Sequence, residues 1–402
     1  MTIGLAFSLA VMQVLSVSET RRRTSNSVND IDQVGAYAMF QLDKFVRAAG
    51  SGFASIHSTA TGSNFGCKLN ANLSTAAAPA ILPAPTLPAP FDHVLADIGG
   101  KIRLAPILID YNGSNFGTGN SDVLIVMSGS AGYGEGPMTF ANVPVSGQLN
   151  VRNTYGFTTT GSTVGDLLLV VDQNTGGNVQ PCMIEQVLAG FSATPGATAL
   201  TLSGDYYTAS GTDPTSLLLT AFSINGQVMD LGNPAVGNNP PLFQLIGVKE
   251  GSSTTNYALY SYDLLNISNP GAAVVISDQV FEMHALYYVD TDGDGKADAW
   301  VSPKLAITTT VGGVQYDAAD LMAGTPAAAD ALYNIKAIRL GLILRSPLNE
   351  QSSPGLTTLT LFSGVTNPAG TSLTITRTLA ASEQNYRYRV LEATIPIRNN
   401  LY

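Results

Sequence analysis

Apolar positions at the start of the chain follow a helical pattern. Residues 1–17 (MTIGLAFSLAVMQVLSV) carry no charge, and a helix of that length spans roughly 26 Å, slightly less than the ~30 Å hydrocarbon core of a bilayer. From Val28 to Ala49, apolar residues recur at steps of three and four and form one stripe. Gly50-Ser51-Gly52 ends the pattern. We therefore predict one long helix, membrane-spanning over 1–17 and amphipathic over 18–52.

A secretory signal peptide is the alternative interpretation of residues 1–17. A signal peptide places a basic region before its apolar stretch and a small-residue cleavage site after it. Here the basic cluster Arg21-Arg22-Arg23 follows the apolar stretch, and no A-x-A site is evident. The pattern therefore favours a membrane anchor whose start is truncated.

Beyond residue 52 the pattern is typical of short strands separated by turns rich in glycine and asparagine. One long helix followed by strands predicts an α+β fold, with the helix packed on an antiparallel β-sheet and a second sheet in the head. We treat 53–402 as one β-rich head that contains a Pro/Ala-rich connector at 70–91. The predicted strands are Asp122–Ser128, Asp166–Asp172, Met183–Leu188, Leu242–Val248, Tyr257–Tyr262, Glu282–Val289, Ile335–Leu344 and Tyr386–Ile397.

Composition excludes several classes of function. The formal net charge of −10, from 29 acidic and 19 basic residues, repels phosphate backbones and argues against nucleic-acid binding. Three histidines and two cysteines leave little material for a zinc or Cys–His enzyme. Motifs of hydrolases, metalloproteases, P-loops and redox enzymes are absent from the sequence, so we predict that the chain is not an enzyme and has no catalytic residues.

The two cysteines, Cys67 and Cys182, allow two interpretations. In a cytosolic protein they would be unpaired core residues, whereas in an exported protein they are a candidate disulfide.

The sharpest local motif is the acidic segment DTDGDGKAD at 290–298. Its oxygen-bearing residues alternate around glycine in the plan of a calcium loop, and we predict a Ca²⁺ site of modest affinity. Val301 stands where the usual bidentate glutamate would be, and strands flank the segment, so an acidic hairpin turn is the alternative. The predicted ligands are Asp290, Asp292, Asp294, Lys296 through its carbonyl, and Asp298.

Two single residues near this motif are given structural interpretations. His284 alternates with Met283 and Ala285 in a predicted strand, which indicates a surface or interface side chain. Trp300, the only tryptophan, is interpreted as a partly buried packing residue.

A series of short sequence motifs, called phrases below, resembles motifs of type IV minor pilins, most closely those of the PilW type. The helix ends in AMFQLDKFVRAAGSGF, similar to the family phrase "ALxxLxRDLRxAGY". Further phrases resemble the family's strands in the same order, and they lie at 121–124, 165–170, 280–288, 338–346 and 387–399. The family's prepilin motif is missing, so its cleavage glycine and helix glutamate map onto no residue here.

The resemblance implies a pilin-like fold and a structural subunit that primes assembly of a type IV pilus and caps it. It implies contacts with other minor pilins and the major pilin through the N-terminal helix, with a tip adhesin, and with the inner-membrane assembly platform. It places the chain in the bacterial inner membrane with a periplasmic head, then at the pilus tip, where Cys67 and Cys182 would pair. A type II secretion pseudopilin and a membrane-anchored calcium-dependent adhesin remain as alternatives.

Overall fold

The structure is a computed structural model, and it describes most of the chain. The described residues are 2–53, 57–58, 62–63, 65–73, 80–82, 86–116, 119–130, 137–157, 163–172, 182–194, 196–207, 219–235, 240–250, 256–265, 272–304, 307, 310–349 and 355–400. Parts of the predicted connector, 74–79 and 83–85, lie outside these residues.

Helices form a minor part of the described structure. The α-helices are α1 (Thr2–Ala48), α2 (Val94–Asp97), α3 (Ala318–Leu321) and α4 (Pro326–Tyr333). Their starts follow from local chemistry, since Asp317 and Thr325 cap α3 and α4 by accepting backbone N–H groups. Proline at the first position of α4 needs no N–H partner there.

Strands form most of the ordered structure. They are β1 (His57–Ser58), β2 (Gly62–Ser63), β3 (Leu69–Asn72), β4 (Ala80–Leu82), β5 (Ile107–Phe116), β6 (Gly119–Ser128), β7 (Met138–Thr139), β8 (Gln148–Asn150), β9 (Leu167–Val171), β10 (Cys182–Gln186), β11 (Ala199–Thr201), β12 (Gln227–Gly232), β13 (Leu242–Glu250), β14 (Tyr257–Asp263), β15 (Val274–Asp278), β16 (Val280–Val289), β17 (Ala299–Val301), β18 (Ile335–Arg345), β19 (Thr358–Leu361), β20 (Ile375–Thr378) and β21 (Tyr388–Pro396).

Three larger sheets organise these strands. Their orders are β4-β3-β10-β9-β12-β7, β15-β14-β13-β6-β5 and β17-β16-β18-β21, and two-stranded ribbons such as β19-β20 accompany them. Pairing is antiparallel except between β10 and β3. The central strands β9 and β18 are buried along almost their whole length, so both of their faces lie between layers of the molecule.

Two side chains of β6 join the five-stranded sheet to the four-stranded sheet. Strand β17 pairs only with the last residues of β16, so part of that edge of β16 needs other partners. Ser121 Oγ accepts the N–H of Met283 at 2.8 Å and donates to its carbonyl at 3.0 Å. Asp122 Oδ2 accepts the N–H of Ala285 at 2.9 Å. The two sheets are therefore joined by hydrogen bonds as well as by apolar packing.

The disulfide between Cys67 and Cys182 lies in the six-stranded sheet. It joins Cys67, two residues before β3, to Cys182 at the start of β10, where Cys182 is opposite Leu69 in the parallel pair of strands. Both cysteines are buried, and Asn70 donates its side-chain N–H to the Cys182 carbonyl at 3.0 Å. The bond therefore ties the segment after α1 to a strand more than 100 residues later.

The C-terminal part of α1 contributes one stripe of side chains to the main core. Ile31, Ala38 and Leu42 are buried, whereas Val28 of the predicted stripe is 38% exposed. Gly35 lies against the ends of leucine side chains from β18 and β21. Most of the core comes from strands.

The predicted fold class, α+β and pilin-like with a long apolar N-terminal helix packed on a sheet, is wrong. Within the part of the chain that the structure describes, 39% of residues are in strands and 19% in helices, so β-sheet dominates. In the first part of α1, the described apolar side chains Val11, Met12, Val14 and Leu15 are exposed, and the stripe is confined to the later turns. Within the described residues, none of the helices combines the length and the apolar character needed to span a bilayer.

Candidate metal centre

The acidic segment forms the turn between β16 and β17. Val289 pairs with Ala299 across this hairpin, so the whole predicted motif lies in one connection. Gly293 and Gly295 adopt φ angles of 79° and 85°, which residues with a Cβ rarely adopt. The glycines therefore allow the chain to fold the acidic side chains inward.

Asp290 is the buried centre of the turn. Asp290 is only 2% exposed. Each of its two carboxylate oxygens accepts a backbone N–H at 2.7 Å, one from Gly293 and one from Gly295. Asp292 and Asp294 continue the pattern, because each accepts the N–H two residues ahead. The turn is thus held locally by its own carboxylates.

The structure brings three of the predicted ligands together. One carboxylate oxygen from each of Asp290, Asp292 and Asp294 lies within 4.8 Å of the others. Asp298 does not join them, since it accepts hydrogen bonds from Thr291 Oγ1 at 2.8 and 2.9 Å. The side chain of Lys296 is exposed, with Nζ 3.6 Å from Asp294 Oδ2.

A buried lysine provides positive charge near the base of the turn. Lys336 Nζ donates to the carbonyl of Asn400 at 2.8 Å and lies 4.0 Å from the centroid of the Tyr333 ring. Burial lowers the pKa of this lysine, and the negative charge of Asp290 opposes that shift. Asp290 also donates its backbone N–H to Asn334 at 3.0 Å. The three carboxylates suit a hard cation such as Ca²⁺, and they are fewer than the ligands predicted.

Trp300 lies just beyond this turn and is partly exposed. Its ring stacks on Tyr288 with centroids 4.2 Å apart and an interplanar angle of 18°. The Arg339 guanidinium lies 5.9 Å from the Trp300 centroid. This packing stiffens the strands that carry the acidic turn.

Sequence reasoning missed a chain of buried charges in β16. His284 is 5% exposed, contrary to the surface or interface position that we predicted. Its Nδ1 lies 3.5 Å from Asp122 Oδ1 and its Nε2 lies 3.5 Å from Glu282 Oε2. The series of ion pairs continues beyond β16. Glu282 Oε1 lies 2.5 Å from Arg377 Nε, and Arg377 Nη2 lies 2.9 Å from Glu383 Oε1.

A further acidic group lies beside this chain. Asp110 is 2% exposed, and burial, with the charges of Asp97 and Asp122, raises its pKa to about 8. The run of charged residues at even positions in β16, Glu282 and His284, was the only sequence signal that could have indicated this network.

A segment within the C-terminal half of the chain matches a known family. Residues 248–399 match the PilW model, described as Type IV Pilus-assembly protein W. No curated protein and no solved structure matches the chain. The matched residues contain β14 to β21, the acidic turn, and three of the phrases on which the resemblance was based.

The match indicates a role related to type IV pilus assembly, with interaction with the pilus machinery and a location in the cell envelope. The resemblance noted in the sequence is thereby confirmed. The match over residues 248–399 supports the assignment of the chain as a PilW-type protein.

Proposed function

We propose that the chain is a minor pilin, a structural subunit that helps to prime assembly of a type IV pilus and to cap it. The family match over 248–399 carries this proposal, because it coincides with the four-stranded sheet β17-β16-β18-β21 and its hairpin turn. The role needs a stable surface for protein contacts and no chemical step, so the protein acts without enzymatic activity.

The proposed partners are other minor pilins, the major pilin, a tip adhesin and the inner-membrane assembly platform. Helix α1 offers large apolar side chains to such contacts, since Tyr37 is 51% and Phe40 is 64% exposed. These side chains lie on the helix face away from the buried stripe. The head would be periplasmic before assembly and at the pilus tip afterwards.

Deletion of the gene tests this role. We expect at least about a tenfold fall in the number of surface pili, because filament extrusion starts poorly without its priming subunits; a factor of ten corresponds to about 1.4 kcal/mol in an assembly equilibrium. Pili are counted by electron microscopy, and piliation is restored by the wild-type gene in trans.

The same strain separates the alternatives. Normal piliation in a strain without a paralogue would refute the minor-pilin role. Loss of type II secretion with normal pili would instead identify a pseudopilin. Normal pili and secretion with lost calcium-dependent attachment would identify an adhesin.

We also propose that the acidic turn binds one Ca²⁺ through Asp290, Asp292 and Asp294. The support is the convergence of their oxygens within 4.8 Å, with the Lys296 carbonyl as a further ligand. Asp298 would have to release Thr291 to take part. We expect a Kd of ~10⁻⁴–10⁻³ M, as in extracellular modules, because the bidentate acidic ligand is missing.

Calcium should raise the melting temperature of the full chain. At a free calcium concentration ten times Kd, binding adds about 1.4 kcal/mol to the free energy of unfolding. Melting is measured with calcium, with chelator and with magnesium, which should substitute poorly because it prefers a smaller octahedral site. The double variant Asp292→Asn/Asp294→Asn should lose the shift and keep the turn, since asparagine accepts the same backbone N–H groups.

The matched control is Asp30→Asn/Asp278→Asn, which removes two exposed carboxylates outside the turn. This control should keep the calcium shift. Equal melting of the wild type in calcium and in chelator would show that the segment is an acidic turn only.

A further inference from the structure

His284 lies between two sheets with a carboxylate on each side. Asp122 belongs to β6 of the five-stranded sheet, and Glu282 belongs to β16 of the four-stranded sheet. Each ring nitrogen lies 3.5 Å from one of these carboxylates, and the His284 side chain is 6% exposed. A protonated ring has a donor on each nitrogen and can bond both carboxylates, whereas a neutral ring can donate to only one.

Carboxylates outnumber cations around His284, and a protonated ring reduces that excess of negative charge. Two carboxylates face the ring directly, Asp122 from β6 and Glu282 from β16. The other charged groups act through these two. Arg377 of β20 pairs with Glu282 and with Glu383 beyond β20, and Asp110 of β5 interacts with Asp122 and with Asp97 of α2. Arg377 is shared between Glu282 and Glu383. Strand β18 opposes His284 with Gly341 and adds no charge there. Loss of the proton would leave Asp122 without a cationic partner in this network, at a cost that burial makes large.

We propose that His284 is a proton-dependent clamp that holds the five-stranded sheet to the four-stranded sheet, closed when the ring is protonated and weakened when the ring is neutral. The clamp acts where Ser121 and Asp122 already bond the edge of β16. It links β6, which lies outside the family match, to the matched sheet.

The proton is held well into the alkaline range. Burial alone would lower the pKa of His284, but the charges and hydrogen bonds of Asp122 and Glu282 outweigh burial and raise the pKa from 6.5 to about 9. A histidine whose pKa is higher in the folded than in the unfolded state contributes its full stabilisation below pH 6.5, and this contribution is lost as the pH rises through 9. Asp110 also makes the folded state less stable as the pH rises, but over a lower range. Folding favours its neutral form between its ordinary pKa of 3.8 and about 8.

The variant His284→Gln tests the clamp, since glutamine keeps hydrogen-bonding groups and cannot be charged. Unfolding of the full chain by urea is measured from about pH 5.5 to about pH 10. We expect the unfolding equilibrium constant of the wild type to rise relative to that of the variant by on the order of 100-fold between pH 6.5 and 9. The matched control His93→Gln changes an exposed histidine and should keep the wild-type profile.

A second measurement does not depend on the folding of the variant. The chain has three histidines, so the ring signals of labelled wild-type protein are followed by NMR and assigned with His93→Gln and His57→Gln. We expect the His284 signals to titrate near pH 9. Titration of His284 at or below its ordinary pKa of 6.5, or a wild-type pH profile in His284→Gln, would overturn the proposal.

Discussion

Replacement of Cys67 and Cys182 together by alanine is expected to lower the free energy of unfolding by about 4–5 kcal/mol. The bond closes a loop with a sequence separation of 115 residues, and a cross-link of that length removes much of the conformational entropy of the unfolded chain. Alanine suits both sites because they are buried and no hydroxyl is introduced into the core.

The loss is measured by urea unfolding under oxidising conditions. Wild-type protein with a reductant should unfold like the double variant, and reductant should change nothing in the double variant, because the chain has no other cysteine. A double variant within about 1 kcal/mol of the oxidised wild type would contradict the entropic contribution of the bond.

Replacement of Arg377 by methionine is expected to cost about 3–5 kcal/mol of stability at neutral pH. The Arg377 side chain bonds Glu282 and Glu383, whose side chains are 2% and 7% exposed. Methionine retains much of the apolar contact with Phe281, whose ring lies 5.5 Å from the guanidinium carbon, so the cost comes mainly from two buried carboxylates that lose their arginine partner.

The matched control for this prediction is Arg389→Met, which breaks an exposed pair. Arg389 lies 3.1 Å from Asp32, and the two side chains are 59% and 46% exposed, so its loss should cost at most about 1 kcal/mol. Both variants are compared by urea unfolding at one pH. Equal losses of stability in the two variants would show that burial does not determine how much these ion pairs contribute to the free energy of unfolding. The triple variant Glu282→Gln/Arg377→Met/Glu383→Gln should recover part of the Arg377→Met loss, because it leaves no unpaired charge.

Local features of the matched region could be predicted from the sequence. The predicted strands Glu282–Val289 and Ile335–Leu344 lie within β16 (Val280–Val289) and β18 (Ile335–Arg345). The turn between β16 and β17 could be predicted because its side-chain hydrogen bonds run between residues only two to seven positions apart. The two glycines and the alternating aspartates contain the information for that turn within a few residues.

The fold class could not be predicted in this way. The helical stripe of α1 is a local pattern, and it was taken as the organising element of the molecule. The core is built instead by strands that pair across long separations, as in β13 with β6 and β10 with β3. No periodicity in the sequence specifies which strands meet, because that choice depends on how whole sheets bury their apolar faces.

The sequence by itself determined the acidic turn, the main strands of the PilW-like region and the two candidate cysteines, because short-range hydrogen bonds and alternating apolar positions suffice for these features. The motif did not indicate that Asp298 bonds Thr291, seven positions away in the same turn, and leaves three carboxylates together. Tertiary structure alone decided that His284 is buried against Asp122, a residue more than 160 positions away. Burial and charge pairing of this kind arise only when two sheets are brought together, so the environment of His284 is a property of the packed molecule.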